Sequence, residues 1–278
     1  MSTHTESGTW KLRHRVRVSG GEVATDVFGQ GSPVILIHGT PASSFLWREV
    51  VPILAREHAV HVWDLLGYGD SQPAPGVVPS IDLQARTLAE LVRHWDLGAP
   101  ALVGHDIGGA AALRAHLVHG VPVRRLALLD AAVLGAWLTP FTHHMRTHAG
   151  VYRTMPAHVF ADIIRPRLHT ATHRPMPEAV ASAYLAPWDG AAGQQRWIDQ
   201  VEGVSDDETR DIEARLHEIT VPAHVLWGGN DEWLPPATAA RLAAAIPGAG
   251  LTMIPDAGHF LPEDSPYDTA QALLRFLD

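Results

Sequence analysis

Short apolar runs that alternate with helical segments constrain the fold of this chain more than any other sequence feature. The runs lack the polar and apolar alternation of a half-exposed strand. Continuous apolar strands are typical of a sheet that is buried on both faces. The runs lie at 33–37, 59–63, 100–103, 124–129, 222–227 and 250–254, and an alternating hairpin precedes them at 11–18 and 22–28.

Helical periodicity fills the gaps between these runs. Apolar residues recur at helical spacing in 82–95 and in 107–119. Ser80 is predicted to cap the first of these helices, and Ser265, ahead of a proline, to cap the last helix of the chain. This order of strands and helices predicts an α/β fold with a mostly parallel, doubly wound sheet.

One long stretch breaks the alternation. Between 136 and 215 the chain has no strand-like run, and prolines punctuate short helical pieces. We predict a helical cap over 136–215, inserted between two strands of a core that is formed by 1–135 and 216–278. Such a cap covers the carboxyl ends of the strands, where ligands bind in open α/β sheets.

Composition narrows the classes of function. The 278 residues are 46% hydrophobic, enough for a sizeable core. The formal net charge of −9 is spread along the chain without a basic cluster, which argues against nucleic acid or a membrane surface as a partner. The absence of cysteine excludes disulfides, thiolate nucleophiles and Cys-ligated zinc.

The sequence also indicates a compartment. The N-terminal residues do not form a signal peptide, and no apolar run approaches the ~18 residues of a membrane span. We expect a cytoplasmic protein, and a homodimer is compatible with the sequence. The cap histidines His143, His144 and His148 lack a carboxylate at ligand spacing, so neither a metal nor another cofactor is predicted.

The strongest chemical motif is Gly-His-Asp-Ile-Gly-Gly at 104–109, directly after a buried run and before a helix. A sharp turn of this kind needs small neighbours and thrusts its central side chain into the site. Nucleophile elbows usually carry serine there, whereas this chain has Asp106. An ionised carboxylate attacks without a base, so Asp106 is predicted to be a nucleophile. A glycine-rich turn with a capping aspartate is the alternative for the motif alone.

A second motif, His-Gly-Thr-Pro at 38–41, follows the run 33–37. This is the position of an oxyanion-hole loop, so the backbone N–H groups of Thr40 and Ile107 are predicted to face a carboxyl oxygen of the nucleophile. His38 is predicted to contact substrate. A plain proline turn is the alternative.

A third motif places His259 in a loop after the run 250–254, where it is predicted to act as a base. Two acids are candidates to orient its imidazole. Asp231 lies in the loop after 222–227, and Asp130 ends the run 124–129. We favour Asp231; the other carboxylate would then cap a helix or lie on the surface.

These motifs resemble those of the α/β-hydrolase superfamily, over essentially the full length of the chain. The order of elbow, cap, acid and histidine matches, as does the segment Trp-Asp-Leu-Leu-Gly-Tyr-Gly-Asp-Ser at 63–71. The elbow resembles the aspartate-nucleophile branch, which contains epoxide hydrolases, haloalkane dehalogenases and fluoroacetate dehalogenases. The resemblance implies an alkyl ester on Asp106 that His259 and its acid hydrolyse.

Departures from the branch distinguish among its members. Haloalkane dehalogenases usually have tryptophan after the nucleophile, and many have asparagine after the His-Gly pair; this chain has Ile107 and Thr40. Fluoroacetate dehalogenases have arginine after the nucleophile and again three residues on, where this chain has Ile107 and Ala110. Neither leaving-group site is carried over.

Epoxide hydrolases instead need a proton donor from the cap, usually two tyrosines. Tyr152 falls at the first of these positions, while Trp197 occupies the second. Tyr184 or a cap histidine is a candidate substitute. Trp137 and Trp188, with Tyr184 and Trp197, are predicted to line the substrate pocket, and simple packing is the alternative for each.

We therefore expect a hydrolase that opens a small hydrophobic epoxide to a diol through an ester on Asp106, with Tyr152 as proton donor. Cleavage of a carbon–halogen bond through the same ester is one alternative. The other is a biosynthetic protein that binds or cyclises its ligand without hydrolysis. An intact set of Asp106, His259 and an acid argues against that last reading.

Overall fold

A computed structural model describes residues 10–278 of the chain. In this part, nine strands form one sheet. The strands are β1 (His14–Val18), β2 (Gly21–Phe28), β3 (Ser32–Ile37), β4 (His58–Trp63), β5 (Gln72–Pro73), β6 (Ala101–His105), β7 (Arg125–Leu129), β8 (Ala223–Gly228) and β9 (Gly250–Ile254). Their order across the sheet is β1-β2-β4-β3-β6-β7-β8-β9, and β5 pairs with β2.

Helices connect the strands and cover the sheet. The α-helices are α1 (Val51–Leu54), α2 (Ile81–His94), α3 (Ile107–Leu117), α4 (Pro140–Thr147), α5 (Ala149–Thr154), α6 (Ala157–His169), α7 (Glu178–Leu185), α8 (Gly190–Gly203), α9 (Arg210–Arg215), α10 (Ala237–Ala245), α11 (Leu261–Asp264) and α12 (Pro266–Leu277). Short 3₁₀ turns lie at Ser44–Trp47, Ala186–Trp188, Asp206–Thr209 and Leu216–Glu218.

The predicted doubly wound α/β fold is confirmed. The pairs β1–β2 and β2–β4 are antiparallel, and the strands from β4 through β3, β6, β7 and β8 to β9 are parallel. Every residue of β6 is buried, as are the last four of β3 and of β7. These are the continuous apolar runs of the sequence, which form the centre of the sheet because both of its faces are covered.

The strand order places the ends of several strands around one crevice. β3 lies between β4 and β6, so the connections on its two sides run in opposite directions. Ligands bind outside the carboxyl ends of the strands at such a switch point. Residues that follow β3, β6, β7, β8 and β9 meet there, and these are the segments that carry the predicted site residues.

The two predicted helix caps differ in outcome. The Ser80 hydroxyl accepts a hydrogen bond from the Leu83 N–H at 3.1 Å, which confirms the cap of α2. Ser265 precedes α12, but its side chain makes no capping hydrogen bond. The residue before Ser265, Asp264, accepts hydrogen bonds through its carboxylate from the N–H groups of Gly258 and His173, which are not in α12. The four-residue helix α11 was not predicted, since one turn shows no periodicity.

The segment between β7 and β8 is helical, with α4 to α9 and no strand. It packs over the carboxyl edge of the sheet, where the Trp188 indole N–H donates to the Pro41 carbonyl at 3.0 Å. Among residues 10–278, none of the helices has both the length and the apolar character that crossing a bilayer requires.

Candidate active site

The turn between β6 and α3 holds Asp106 in a strained backbone conformation, with φ of 53° and ψ of −126°. Residues other than glycine rarely adopt a positive φ, and such strain is concentrated at functional sites. Hydrogen bonds fix the turn, because the Asp106 N–H donates to the Leu129 carbonyl at 3.1 Å and its carbonyl accepts from Gly109 at 3.0 Å.

The glycines around Asp106 are required by close packing. A Cβ on Gly104 would lie 2.5 Å from the Gly108 carbonyl oxygen, and a Cβ on Gly108 would lie 2.5 Å from the Ile37 carbonyl oxygen. A Cβ on Gly39 would collide with the Asp106 side chain. The turn, α3 and the end of β3 therefore approach one another more closely than any larger residue allows.

Backbone N–H groups lie against the Asp106 carboxylate. The Thr40 N–H donates to Oδ2 at 2.8 Å, and the Ile107 N–H lies near enough to lower the pKa of the carboxyl. Burial raises the pKa of Asp106 to about 6, although the nearby His259 and the two N–H groups oppose this rise. The predicted oxyanion-hole residues and the predicted nucleophile thus lie in direct contact.

His259 lies between two carboxylates. Its Nδ1 is 2.9 Å from Asp231 Oδ2, and its Nε2 is 3.9 Å from Asp106 Oδ1. Nε2 has no hydrogen-bond partner in the described part of the chain. The other oxygen of Asp231 accepts the N–H groups of Trp233 and Leu234 at 2.7 and 2.9 Å. The imidazole is therefore oriented on one side by a fixed carboxylate and free on the other.

Asp130, the second candidate acid, lies close to Asp231 and makes no hydrogen bond with His259. Its Oδ1 accepts the Gly228 N–H at 2.8 Å, and its φ is 41°. Burial and, next, the charge of Asp231 raise the pKa of Asp130 well above its usual range. The geometry favours Asp231 over Asp130 as the partner of His259.

His38, a predicted substrate contact, lies outside the cavity wall. It is completely buried, its Nε2 accepts the Leu65 N–H at 2.9 Å, and its Nδ1 is 2.9 Å from the Gly39 carbonyl. Nε2 must accept from a backbone N–H, so the proton lies on Nδ1. His38 therefore fixes the loop that carries Thr40, and its position does not support a contact with substrate.

A cavity of about 760 Å³, its open mouth included, lies between the cap and the carboxyl edge of the sheet. Asp106, His259 and Thr40 form its floor. Apolar and aromatic side chains dominate the rest of its wall, among them Trp137, Leu138, Phe141, Met145, Leu168, Trp188, Trp197, Val201, Val204, Trp233 and Leu234.

Three predicted substrate-binding tryptophans line this cavity, but only one has a free indole N–H. Trp137 donates to Thr209 Oγ1 at 2.9 Å, and Trp188 donates to the Pro41 carbonyl. The buried Nε1 of Trp197 has no partner among residues 10–278. Trp197 is therefore the one of these three tryptophans whose indole N–H is not engaged by the described part of the fold.

The two predicted tyrosines do not line the cavity. Tyr184 is buried, donates from its hydroxyl to Glu263 at 2.9 Å and packs edge-on against Phe45. Tyr152 lies on α5, where its ring packs edge-on against His144. Their positions do not support a proton donor at Tyr152 or a substrate contact at Tyr184, because the short cap helices direct both rings into packing.

A model of the alpha/beta hydrolase fold matches residues 32–266, most of the chain. The chain belongs to the alpha/beta hydrolase fold family. This confirms the resemblance that the motifs predicted, and it identifies the protein as a hydrolase of this family.

Individual relatives of this hydrolase have different activities. It is 30% identical to a 2-hydroxy-6-oxo-6-(2'-aminophenyl)hexa-2,4-dienoic acid hydrolase of Metapseudomonas resinovorans, over 94% of this chain and 89% of the relative. It is also 30% identical to haloalkane dehalogenase 2 of Mycobacterium bovis, over 88% of each chain. The crystal structure of an alpha/beta hydrolase fold protein from Burkholderia ambifaria superposes with a TM-score of 0.92, at 33% identity, and the match covers 96% of this chain and 99% of the other.

The structure adds two residues of the hydrolase site that the sequence did not predict. Trp233 stacks on the His259 ring with a centroid distance of 4.9 Å and an interplanar angle of 28°. The only sequence feature that could have indicated a role for Trp233 is its position two residues after Asp231. Arg167 lines the cavity from α6. Nothing in the sequence distinguishes it from the other arginines of the cap.

Proposed function

We propose that this hydrolase cleaves the bond between an sp³ carbon and a leaving group through an alkyl ester on Asp106. One observation carries the proposal. Asp106 Oδ2 is held by the Thr40 N–H, while Oδ1 lies 3.9 Å from an imidazole nitrogen that has no partner. This arrangement suits attack by one oxygen and later hydrolysis at the carboxyl carbon.

The proposed reaction has two steps. Asp106 Oδ1 forms a bond to the substrate carbon as the bond to the leaving group breaks, and the leaving group departs with the electron pair. Water then attacks the ester carbon, and His259 Nε2 takes its proton while Asp231 stabilises the imidazolium. The Thr40 and Ile107 N–H groups stabilise the oxyanion, at ~3 kcal/mol for each donor. Collapse of this intermediate releases the alcohol and restores Asp106.

A carboxylate nucleophile favours alkyl over acyl substrates. Attack on an sp³ carbon yields an ordinary ester, which is stable until His259 activates water. Attack on an ester or ketone carbonyl would yield an anhydride, which is more reactive than the substrate and gives no easier path. The side chain at position 106 therefore supports carbon–halogen or epoxide substrates over those of an esterase.

The cavity wall favours a halide as the leaving group. An epoxide oxygen leaves as an alkoxide and needs a proton, whereas a halide leaves as a stable anion and needs only a hydrogen-bond donor. The Trp197 indole N–H donates hydrogen bonds but does not give up its proton at neutral pH. Because neither Tyr152 nor Tyr184 lines the cavity, we propose dehalogenation in place of the epoxide opening that the sequence favoured.

The two steps are expected to fail at different pH values as acid is added. The carboxylate form of Asp106 attacks, and its pKa is about 6. Burial lowers the pKa of His259, but the carboxylates of Asp231 and Asp106 outweigh burial and raise it above its ordinary value. Asp106 is uncharged in the ester, but Asp231, the larger of the two causes that raise the pKa, stays ionised there. Since His259 is a base only when neutral, hydrolysis is expected to lose rate first, and lowering the pH from ~8 to ~6 is expected to accumulate the ester. Acid quench and intact-protein mass spectrometry measure it; identical pH profiles for both steps would contradict the assignment.

Replacement of His259 tests the proposal directly. The first step needs no base, so His259→Phe is expected to form the ester and fail to hydrolyse it. Phenylalanine keeps an aromatic ring against Trp233. The trapped protein, incubated with mixed haloalkanes and epoxides, gains a mass that identifies the chemistry. A haloalkane adds its mass less one hydrogen halide, whereas an epoxide adds its whole mass.

The matched control combines His259→Phe with Asp106→Ala, and this double variant is expected to gain no mass. Peptide mapping must place the adduct on Asp106. An epoxide adduct without a halide-derived one would reverse our choice of leaving group. No adduct from a broad panel of either kind would favour the non-hydrolytic alternative, and an adduct on another residue would refute Asp106 as the nucleophile.

A further inference from the structure

Arg167 is the one lysine or arginine on the described wall of the cavity that contains Asp106 and His259. Within residues 10–278, no carboxylate oxygen lies within 4.0 Å of its guanidinium nitrogens. Its one side-chain hydrogen bond in this part is from Nη1 to the Thr170 hydroxyl, at 3.2 Å. A permanent positive charge therefore faces the cavity without a counter-ion in contact.

Two other half-buried arginines of this chain have carboxylate partners. Arg48 pairs with Glu263 at 2.6 Å, and Arg114 pairs with Asp82 at 2.9 Å. Burial lowers the pKa of Arg167 to about 10, and the charges of Asp231 and Glu232 only partly oppose this. A desolvated cation without a paired anion costs free energy, so its retention in the cavity wall indicates a role that involves a ligand.

Aromatic rings hold Arg167 in place without using its N–H groups. The guanidinium carbon lies 4.0 Å from the centroid of Trp233 and 5.8 Å from that of Phe141. Nε and Nη2 have no hydrogen-bond partner among the described residues. A planar guanidinium with two free donors matches the geometry of a carboxylate, which it binds through two parallel hydrogen bonds.

We propose that Arg167 forms a carboxylate-binding subsite, so that the substrate of this enzyme is an organic acid that carries its reacting carbon away from its carboxylate. Asp106 repels a second negative charge, so the carboxylate binds at Arg167 and the apolar part of the substrate lies along the tryptophans. The identity of the reacting end rests on the proposed function of Asp106. The carboxylate subsite is a property of Arg167 and is testable without turnover.

Binding of two matched probes tests the subsite. The probes are 4-phenylbutanoate and 4-phenylbutan-1-ol, which share a carbon skeleton and differ in charge. Each is titrated into the Asp106→Ala protein, with the fluorescence of the cavity tryptophans as the readout. We expect the carboxylate to bind about 10- to 100-fold more tightly, since hydrogen bonds to charged groups have this effect on affinity.

Variants of Arg167 in the same background give the deciding comparison. Arg167→Met keeps the length of the side chain and is expected to lower carboxylate affinity to that of the alcohol, without a change for the alcohol. Arg167→Lys keeps the positive charge but loses the planar pair of N–H donors, so an intermediate preference for the carboxylate probe is expected. Arg174→Met removes an exposed cap arginine that does not line the cavity, and should change neither affinity.

The subsite would be overturned if the two probes bound with equal affinity or if neither bound. It would also be overturned if the preference for the carboxylate survived in Arg167→Met. None of these outcomes bears on the ester, which the His259→Phe adduct tests separately. Conversely, a missing adduct on Asp106 together with a carboxylate preference that depends on Arg167 would refute the proposed function and leave the subsite standing.

Discussion

Asp106→Ala is expected to lower kcat by about 10⁴-fold or more, since loss of a covalent nucleophile costs up to ~10⁶-fold in a well-studied hydrolase. The reason is local. The Thr40 N–H holds the Asp106 carboxylate, and the described cavity wall offers no second carboxylate. Turnover of a haloalkane, followed by halide release, measures the loss. A variant that keeps more than about a hundredth of the wild-type kcat would refute covalent catalysis by Asp106.

The stability of Asp106→Ala separates inactivity from unfolding. Burial raises the pKa of Asp106 to about 6, so the folded chain binds this proton more tightly than the unfolded chain does. Above pH 6 the ionised carboxylate therefore costs folding free energy, and the cost disappears in the variant. Its Tm at neutral pH is expected to equal or exceed that of the wild type. A fall in Tm would mean that the side chain supports the fold.

Asp231→Asn is expected to slow ester hydrolysis by about 10³-fold or more, since the equivalent change in a serine protease costs ~10⁴-fold. One Asp231 oxygen accepts the N–H groups of Trp233 and Leu234, so the asparagine oxygen takes that place. The amide NH₂ then faces His259 Nδ1 and forces the ring proton onto Nε2. In that tautomer Nε2 has no lone pair with which to accept a proton from water.

Asp130→Asn is the matched control for this variant. Asp130 is equally buried but accepts the Gly228 N–H and makes no hydrogen bond with His259, so a milder loss is expected. Single-turnover kinetics separate the steps, and Asp231→Asn should slow hydrolysis while leaving attack by Asp106 nearly unchanged. The reverse ranking of the two variants would assign the acid to the end of β7.

Most of the sheet was predictable from the sequence because strands that are buried on both faces appear as continuous apolar runs. The runs at 33–37 and 124–129 became β3 and β7 within one residue at each end. The site residues that follow strands were predictable for the same reason. Loops that follow parallel strands all begin at the same edge of the sheet, so Asp106 and His259 meet at this carboxyl edge.

The cap residues were harder to predict because short helices have no fixed relation to the sheet. Tyr152 and Trp197 both lie on cap helices, and only the second lines the cavity. The direction of each side chain depends on how α5 and α8 pack, which local periodicity does not encode. Arg167 was missed on the same grounds, since its missing counter-ion is a property of three-dimensional packing.

His38 shows a different limit. A histidine beside a predicted oxyanion loop suggested a ligand contact, yet both of its ring nitrogens are engaged by backbone groups within the fold. The sequence indicates that a polar residue lies near the site, but not which way its ring points. Hydrogen-bond partners from a distant segment, here Leu65, decide that.

The turn at Asp106 has a consequence for how such an enzyme diversifies. Its unusual φ is maintained by glycines at 39, 104 and 108, whose absent side chains let three chain segments touch. The carboxylate itself projects into the cavity, and of these three glycines only Gly39 packs against it. Position 106 is thus free to exchange one reactive group for another in a single substitution, while its glycine neighbours are not free to change. The reactive group can therefore change without moving the backbone that presents it, whereas a side chain at Gly104 or Gly108 would push apart the segments that form the turn.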